Sequence, residues 1–282
     1  MITWLMYLLV TILFMIVLVL SSDSHDVIRF NVRFILYYLV SSIIALGSMP
    51  FILLRPKNVK NCRDLSVLLR QITKILGIEW ELRGADELSI ERGCIIVANH
   101  QTTLDILGMF NIWGVMGKCA SVAKMEVFYA WPFGLAAWLA GVVFIDRRNS
   151  SKAVTTLNAT SLLVKHEKTK MWIFPEGTRN KTVLKTGMLP FKKGAFRIAI
   201  ENQVPILPVV FSPYYFINEK TRYFGRGKVI IHTLKPIFTD GLELKDVDDL
   251  IIRTRAVMLD AFEALTKEVL SPLPPDYPGQ VL

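Results

Sequence analysis

The sequence predicts an α/β fold in which helices cover a largely parallel sheet, with membrane helices ahead of it at the N-terminus. Two observations predict this arrangement. Seven short apolar runs of strand character alternate with helical stretches after residue 77: IEWELRG, CIIVA, CASVA, GVVFI, MWIFP, ILPVVF and KVIIHTL. Such alternation is typical of parallel sheets whose strands are joined through helices. Ahead of them, two long apolar segments carry no charged side chain.

The two apolar segments are residues 1–20 and residues 34–54. As a helix each would be about 30 Å long, which is enough to cross the hydrocarbon core of a bilayer. The first segment lacks the basic n-region and the A-x-A pattern of a signal peptide, so we expect it to be retained. We therefore predict that residues 1–57 form membrane-anchoring helices, that residues 58–270 form the α/β domain, and that residues 271–282 form an irregular, proline-rich tail.

The formal net charge is +9, and the basic residues are unevenly placed. Four of them lie between residues 55 and 63, whereas the loop between the apolar segments carries only Arg29 and Arg33. The positive-inside rule then places the region after residue 54 in the cytosol. The charge suits an anionic membrane surface or a phosphorylated substrate. A nucleic-acid partner is not expected, because the sequence contains no recognisable binding motif.

Helical periodicity predicts the remaining elements of the domain. Residues 58–77 carry an apolar stripe and end at Gly77, a plausible helix stop. Further helices are predicted at residues 103–113, 127–140, 150–166, 191–202 and 247–269. Residues 127–145 are uncharged and long enough for a hydropathy scan to mark as a membrane span, but we predict that they do not cross the membrane. Two of the three cysteines, Cys94 and Cys119, are predicted to be inert core thiols.

The segment NHQTTLD, residues 99–105, follows the predicted strand CIIVA and contains His100 and Asp105. On a continuous helix these side chains would be about 140° apart. They converge more easily if His100 lies in the loop and Asp105 in the first turn of the next helix, with Thr102 or Thr103 as its N-cap. Alone, this loose pattern also fits a hydrogen-bonded loop histidine with no chemical role.

Three more polar segments stand at predicted strand ends, where α/β sheets usually bind ligands. They are GVVFIDRR (141–148), FPEGTR (174–179) and LPFKKGAF (189–196). In the second, Arg179 can bind two oxygens of a phosphate as a fork, and Gly177 allows the backbone to approach closely. The combination predicts a site for a phosphate monoester beside a potential general base.

Four ordered blocks, NHQTTLD, GVVFIDRR, FPEGTR and VPILPVV, span residues 99–210 and resemble the glycerolipid acyltransferase family, in particular its 1-acylglycerol-3-phosphate acyltransferases. The resemblance implies that His100 is a general base oriented by Asp105. It also implies that the glycerol phosphate is held by Arg147, Glu176, Gly177, Thr178 and Arg179. Lys124 and Lys193 are further candidates for contacts with phosphate or CoA.

By this resemblance, the expected reaction transfers an acyl chain from acyl-CoA to the free hydroxyl of lysophosphatidate, without an acyl-enzyme, a metal or a resident cofactor. The expected location is the endoplasmic reticulum membrane, with the catalytic domain facing the cytosol. Three alternatives stay open: a family member that uses glycerol 3-phosphate or another lysophospholipid, a non-catalytic membrane lipid-binding protein, and an intramembrane hydrolase.

Overall fold

The computed structural model describes residues 27–145 and 162–279. Its main sheet has seven strands in the order β1-β9-β6-β2-β5-β3-β4, and all neighbours are parallel except β6 and β9. The strands are β1 (Ile78–Arg83), β2 (Cys94–Ala98), β3 (Cys119–Lys124), β4 (Val143–Ile145), β5 (Lys170–Ile173), β6 (Ile206–Phe211) and β9 (Gly227–Thr233); β7 (Ile217–Asn218) and β8 (Tyr223–Phe224) form a separate hairpin. The predicted fold class is confirmed, and each predicted strand overlaps a strand of this sheet.

Helices cover both faces of the sheet, which is why its central strands are apolar throughout. In β2 the alternate residues Cys94, Ile96 and Ala98 belong to one hydrophobic core, and Ile95 and Val97 belong to the other. The helices are α1 (Val27–Ile52), α2 (Val59–Leu69), α3 (Ile72–Leu76), α4 (Ala85–Ser89), α5 (Asp105–Met116), α6 (Met125–Phe128), α7 (Phe133–Leu139), α8 (Val183–Thr186), α9 (Gly194–Asn202) and α10 (Val247–Leu270). Helices α1, α2 and α5 pack on the first face, whereas α9 and α10 pack on the second.

Within the described residues, α1 is the helix long and apolar enough to cross a membrane. It begins before the apolar segment predicted at residues 34–54 and includes Arg29 and Arg33, which are both buried. The Arg33 guanidinium donates to the carbonyl oxygens of Phe224 and Gly225 at 2.6 and 2.5 Å. These hydrogen bonds offset part of the free energy that burying the charge costs. The apolar segment at residues 1–20 lies outside the described residues.

Two predicted helices are interrupted. Residues 58–77 form α2 and α3, which are separated by a tight turn, and Gly77 ends α3 in the left-handed conformation as predicted. The single helix predicted at residues 127–140 is wrong: α6 ends at Phe128 and α7 begins at Phe133. Pro132 disfavours helical backbone in the residue before it, which accounts for the break.

The apolar residues 127–145 therefore do not form one membrane-spanning helix. Their last three residues are strand β4, which pairs with β3 at the edge of the described sheet. Residues 127–145 thus contain no helix of membrane-spanning length, as the prediction that they do not cross the membrane requires. The helix predicted at residues 191–202 begins only at Gly194, and most of the one predicted at 150–166 lies outside the described residues. Cys94 and Cys119 are free and buried, as expected.

Candidate active site

The loop that leaves β2 brings His100 and Asp105 into direct contact. The strand ends at Ala98, and α5 begins at Asp105, so the histidine lies in the loop and the aspartate in the first helical turn. The distance between His100 Nδ1 and Asp105 Oδ2 is 2.7 Å. The histidine side chain is 19% exposed, whereas the aspartate is fully buried. The predicted arrangement of these two residues is therefore present in the structure.

Three donors converge on one oxygen of the Asp105 carboxylate. Besides His100 Nδ1, Oδ2 accepts the backbone N–H groups of Gln101 at 2.7 Å and Thr102 at 3.1 Å. Because an ionised carboxylate offers only acceptors, Nδ1 is the nitrogen that carries the proton when the His100 ring is neutral. The remaining nitrogen, Nε2, is then able to accept a proton from a bound molecule.

The predicted N-cap of α5 is wrong. Neither Thr102 nor Thr103 caps the helix; the N-cap residue is Leu104, whose side chain makes no capping hydrogen bond. The carboxylate of Asp105 instead turns back to the amides of the preceding loop. One carboxylate thus both orders the loop and contacts the imidazole, so an N-cap side chain is not needed to fix this helix start.

The FPEGTR segment holds His100 from a second side. The rings of His100 and Phe174 are stacked, with centroids 4.0 Å apart. The Glu176 carboxylate accepts the backbone N–H groups of His100 and Leu189, each at 2.9 Å, and Asn180 N–H donates to the His100 carbonyl at 2.7 Å. Burial raises the pKa of Glu176, and the two amide donors oppose that shift. This carboxylate is buried and occupied by backbone groups, so it positions the histidine loop.

Sequence reasoning missed several positioning residues. Asn99 exchanges two hydrogen bonds with the Phe211 backbone, at 3.0 and 2.8 Å, and Gln101 donates to the carbonyls of Phe211 and Ser212. Both amides lie inside the NHQTTLD block, which was the available signal. Tyr214 is buried beside Asp105, and burial together with the nearby carboxylate raises the pKa of its hydroxyl. Nothing local in the sequence marks Tyr214.

His100 opens onto an apolar cavity of about 580 Å³, which lies between α1, α2, α5 and α7 and the edge of the sheet. Its walls are mainly aliphatic and aromatic side chains, among them Ile44, Leu65, Phe110, Trp113 and Phe133. Its polar lining includes Lys124, Gly177, Thr178 and Arg179, together with His100. A cavity with this mixed lining suits a ligand with a hydrocarbon chain and a polar, reacting head.

Lys193, another predicted substrate-binding residue, does not line this cavity. Lys193 is exposed at the start of α9 and forms an ion pair with Asp248 of α10 at 2.7 Å. It is not among the described residues that line the apolar cavity. Arg147 lies outside the described residues. Lys124, Gly177, Thr178 and Arg179 thus share one cavity with His100, whereas Lys193 does not line it.

Comparison with known proteins identifies the family of this chain. A family model described as Acyltransferase matches residues 79–212. The 1-acyl-sn-glycerol-3-phosphate acyltransferase alpha proteins of Bos taurus and Homo sapiens are each 38% identical over 226 residues, which is 80% of this chain and 77% and 78% of theirs. The crystal structure of the 1-acyl-sn-glycerophosphate acyltransferase PlsC from Thermotoga maritima has the same fold, with a TM-score of 0.66, 22% identity, and coverage of 84% of this chain and 96% of that one. The chain is therefore an acyltransferase, a member of the family to which the 1-acyl-sn-glycerol-3-phosphate acyltransferases belong.

Proposed function

We propose that this enzyme transfers an acyl chain from acyl-CoA to the free hydroxyl of 1-acylglycerol 3-phosphate, giving phosphatidate and CoA. The observation that carries the proposal is the His100–Asp105 pair at 2.7 Å, placed where an apolar cavity meets Arg179. The names of the related proteins support the choice of acceptor. Acyl-CoA is a co-substrate in this reaction, which needs no resident cofactor.

In the proposed mechanism, His100 Nε2 accepts the proton of the acceptor hydroxyl as its oxygen attacks the thioester carbonyl. A carbon–oxygen bond forms, the carbon–sulfur bond breaks, and the imidazolium returns its proton to the departing thiolate. Asp105 keeps the ring in the required tautomer and stabilises its charged form, as the acid of a Ser-His-Asp triad does. General-base catalysis of this kind contributes about 10²–10⁴-fold to the rate. The nucleophile belongs to the substrate, so no acyl-enzyme forms.

Substrate binding is proposed to divide between the polar and apolar parts of the cavity. Arg179 and Thr178 bind the phosphate of the acceptor, helped by the close backbone approach at Gly177, and Arg147 and Lys124 supply further positive charge. The hydrocarbon chain lies in the apolar cavity, where each buried methylene contributes about 0.8 kcal/mol. Glu176 acts indirectly: its carboxylate accepts the backbone N–H of His100 and so positions that residue. Lys193 would have to leave Asp248 before it could contact CoA.

The test is an assay of purified protein with one acyl-CoA and a panel of acceptors that includes lysophosphatidate, other lysophospholipids and glycerol 3-phosphate. We expect the highest kcat/KM with lysophosphatidate. A clear preference for another acceptor would replace the proposed substrate by one of its family alternatives. Loss of the acyl chain to water with every acceptor would favour a hydrolase. Stoichiometric lipid binding without turnover would favour a non-catalytic protein.

We propose that the enzyme resides in the endoplasmic reticulum membrane and faces the cytosol. The apolar helix α1 supports membrane attachment, the basic residues after it support the cytosolic orientation, and the organelle is the one that the family resemblance implies. Single cysteines at exposed Lys118 and Lys181, on either side of residues 127–145, can be probed in sealed microsomes with an impermeant thiol reagent. The three native cysteines are buried, and a cysteine-free background removes them altogether. Both sites should label from outside; opposite labelling would contradict the proposed topology.

A further inference from the structure

A second cavity, of about 360 Å³, lies at the opposite end of helix α5. We call it the basic pocket. Its charged lining residues come from four separate parts of the chain: Lys60, Arg63, Glu91, Lys118, Lys168 and Lys170. Strands β3 and β5 begin here, whereas the catalytic loop follows the end of β2. The 12 residues of α5 span roughly 18 Å, so the basic pocket lies at the far end of this helix from Asp105, and the lining residues of the two cavities do not overlap.

Lys170 forms the buried part of this pocket. The residue is 2% exposed, and its ammonium group donates to the Met116 carbonyl at 2.8 Å. In the described part of the chain this is its one hydrogen bond, and no carboxylate forms an ion pair with it. An ammonium has three N–H donors, and burying an unpaired charge is costly. Burial accordingly lowers the pKa of Lys170. An anion beside this side chain would satisfy donors that the described protein groups leave unused.

The charge around Lys170 adds to this requirement. Five basic side chains and one carboxylate line the pocket, a net formal charge of +4. The carboxylate of Glu91 is 3.9 Å from Lys118. Between them, the described segments 27–145 and 162–279 supply no ion-pair partner for Lys60, Arg63 or Lys168. Like charges gathered in one place repel one another and destabilise the compact state unless an anion is bound.

Two backbone features of the pocket wall also reduce stability. Gly114 lies within α5, yet a Cβ built there would meet nothing within 4 Å, so packing does not require glycine. Glycine inside a helix costs about 0.5–1 kcal/mol relative to alanine. Lys168 has a φ of +53°, in the left-handed region that side chains rarely adopt. Gly114 leaves room beside the pocket, and Lys168 is one of the cations that line it.

We propose that the basic pocket binds a phosphate-bearing ligand, either a phosphate monoester or a diphosphate. The net charge of the lining matches a polyanion better than a single carboxylate. The Arg63 guanidinium can form a two-bond fork with phosphate, while the lysines act as point charges. The volume lies in the range of small-molecule sites. The phosphate can belong to a soluble organic phosphate or to an anionic lipid headgroup at the membrane surface.

Lysine footprinting of the full-length enzyme tests the proposal. Protein in neutral detergent is acetylated with and without sodium pyrophosphate, at ionic strength matched with sodium chloride, and each lysine is quantified by mass spectrometry. At ten times Kd, acetylation of Lys60 and Lys168 should fall about tenfold. Lys74, an exposed lysine outside the pocket, is the internal control and should be unaffected. The His100→Ala variant should show the same protection, which separates this result from the proposed catalytic function.

Variants then localise the effect. Lys170→Met removes the buried charge, and Gly114→Phe fills the pocket while leaving every charge in place; both should abolish protection of Lys60 and Lys168. Gly114→Ala is the matched control for the second change, because its small side chain fits, and it should retain protection. Protection that persists in both Lys170→Met and Gly114→Phe would place the anion elsewhere and overturn the proposal.

Nanodiscs distinguish the two sources of phosphate. Protein in pure phosphatidylcholine nanodiscs is compared with protein in nanodiscs that also contain phosphatidylinositol 4-phosphate. Protection by added pyrophosphate in the first sample supports a soluble ligand. Protection in the second sample without pyrophosphate supports a lipid headgroup. If saturating concentrations of both probes leave the acetylation of Lys60 and Lys168 unchanged, as they should leave that of Lys74, the pocket binds neither probe and the proposal is overturned.

Discussion

The two ends of helix α5 differ in how their polar groups are held. At its first residue, Asp105 Oδ2 accepts three hydrogen bonds, and the neighbouring loop is hydrogen-bonded to β6 and to the FPEGTR segment. At its last turn, the cations Lys60 and Lys168 are exposed and lie beside Gly114. Proton transfer requires a fixed donor–acceptor geometry, whereas attraction of an anion requires mainly charge. One helix therefore connects a rigid centre suited to catalysis with a looser centre suited to recognition.

The largest expected effect is that of His100→Ala. If the rigid centre is catalytic, the variant should lose about 10²–10⁴-fold in kcat while remaining folded and membrane-bound. The measurement is initial-rate kinetics with lysophosphatidate and acyl-CoA, with a thermal melt as the check on folding. His166→Ala is the control, because His166 is exposed and lies outside the site. Retention of more than a tenth of wild-type turnover by His100→Ala would refute the general-base assignment.

Asp105→Asn should cause a loss nearly as large, on the order of 10²–10⁴-fold in kcat. An amide can present its NH₂ group to Nδ1, which favours the tautomer with the proton on Nε2 and removes the base. The double variant with His100→Ala should be no worse than His100→Ala alone, because the two residues act as one unit. Additive losses would show instead that Asp105 acts independently, for example through loop stability.

Glu176→Ala tests whether the fixed position of the His100 loop depends on the FPEGTR segment. The change leaves the amides of His100 and Leu189 without their acceptor, at a cost of about 1–3 kcal/mol for each donor that stays buried. We expect a lower melting temperature and a fall in kcat of roughly 10–100-fold, with a smaller change in acceptor KM. Glu79→Ala, at an exposed carboxylate, is the matched control. A change confined to acceptor KM would indicate that Glu176 contacts the substrate directly.

Arg179→Lys should have a smaller effect, because it keeps the charge and loses only the planar fork. We expect the acceptor KM to rise roughly tenfold, in line with the loss of one charge-assisted hydrogen bond. The KM for acyl-CoA should change little. The measurement is a pair of saturation curves, each with the other substrate saturating. If the acyl-CoA constant rises while the acceptor constant stays fixed, Arg179 belongs to the donor site.

Gly114→Ala at the other end of α5 should leave kcat unchanged and raise the melting temperature by about 2 °C. The helix gains up to about 1 kcal/mol from the better helix former, and the added methyl group meets no atom within 4 Å. Differential scanning fluorimetry of the detergent-solubilised protein measures the shift. A lower melting temperature would mean that the space beside Gly114 is needed for packing, and the contrast between the two ends of α5 would weaken.

Local patterns in the sequence were sufficient for the elements that depend on near neighbours. Apolar runs bounded by polar turns predicted each strand of the sheet, and Gly77 ends α3 as expected. The positions of His100 and Asp105 follow from the same logic, because a strand followed by a helix brings the loop histidine back over the first helical turn. The break at residues 129–132 was missed, although Pro132 was visible, because apolar periodicity alone continues through it.

The sequence by itself determined the fold class, the family resemblance and the pair of residues proposed for proton transfer, since strand ends and ordered blocks are properties of short segments. Only the tertiary structure decided what the long-range contacts do. Lys193 pairs with Asp248, 55 positions away, and Asn99 is bonded to Phe211, 112 positions away. The basic pocket likewise joins Lys60 to Lys170 across the fold. Such contacts depend on how helices pack on the sheet, and no periodicity within a single segment specifies that packing.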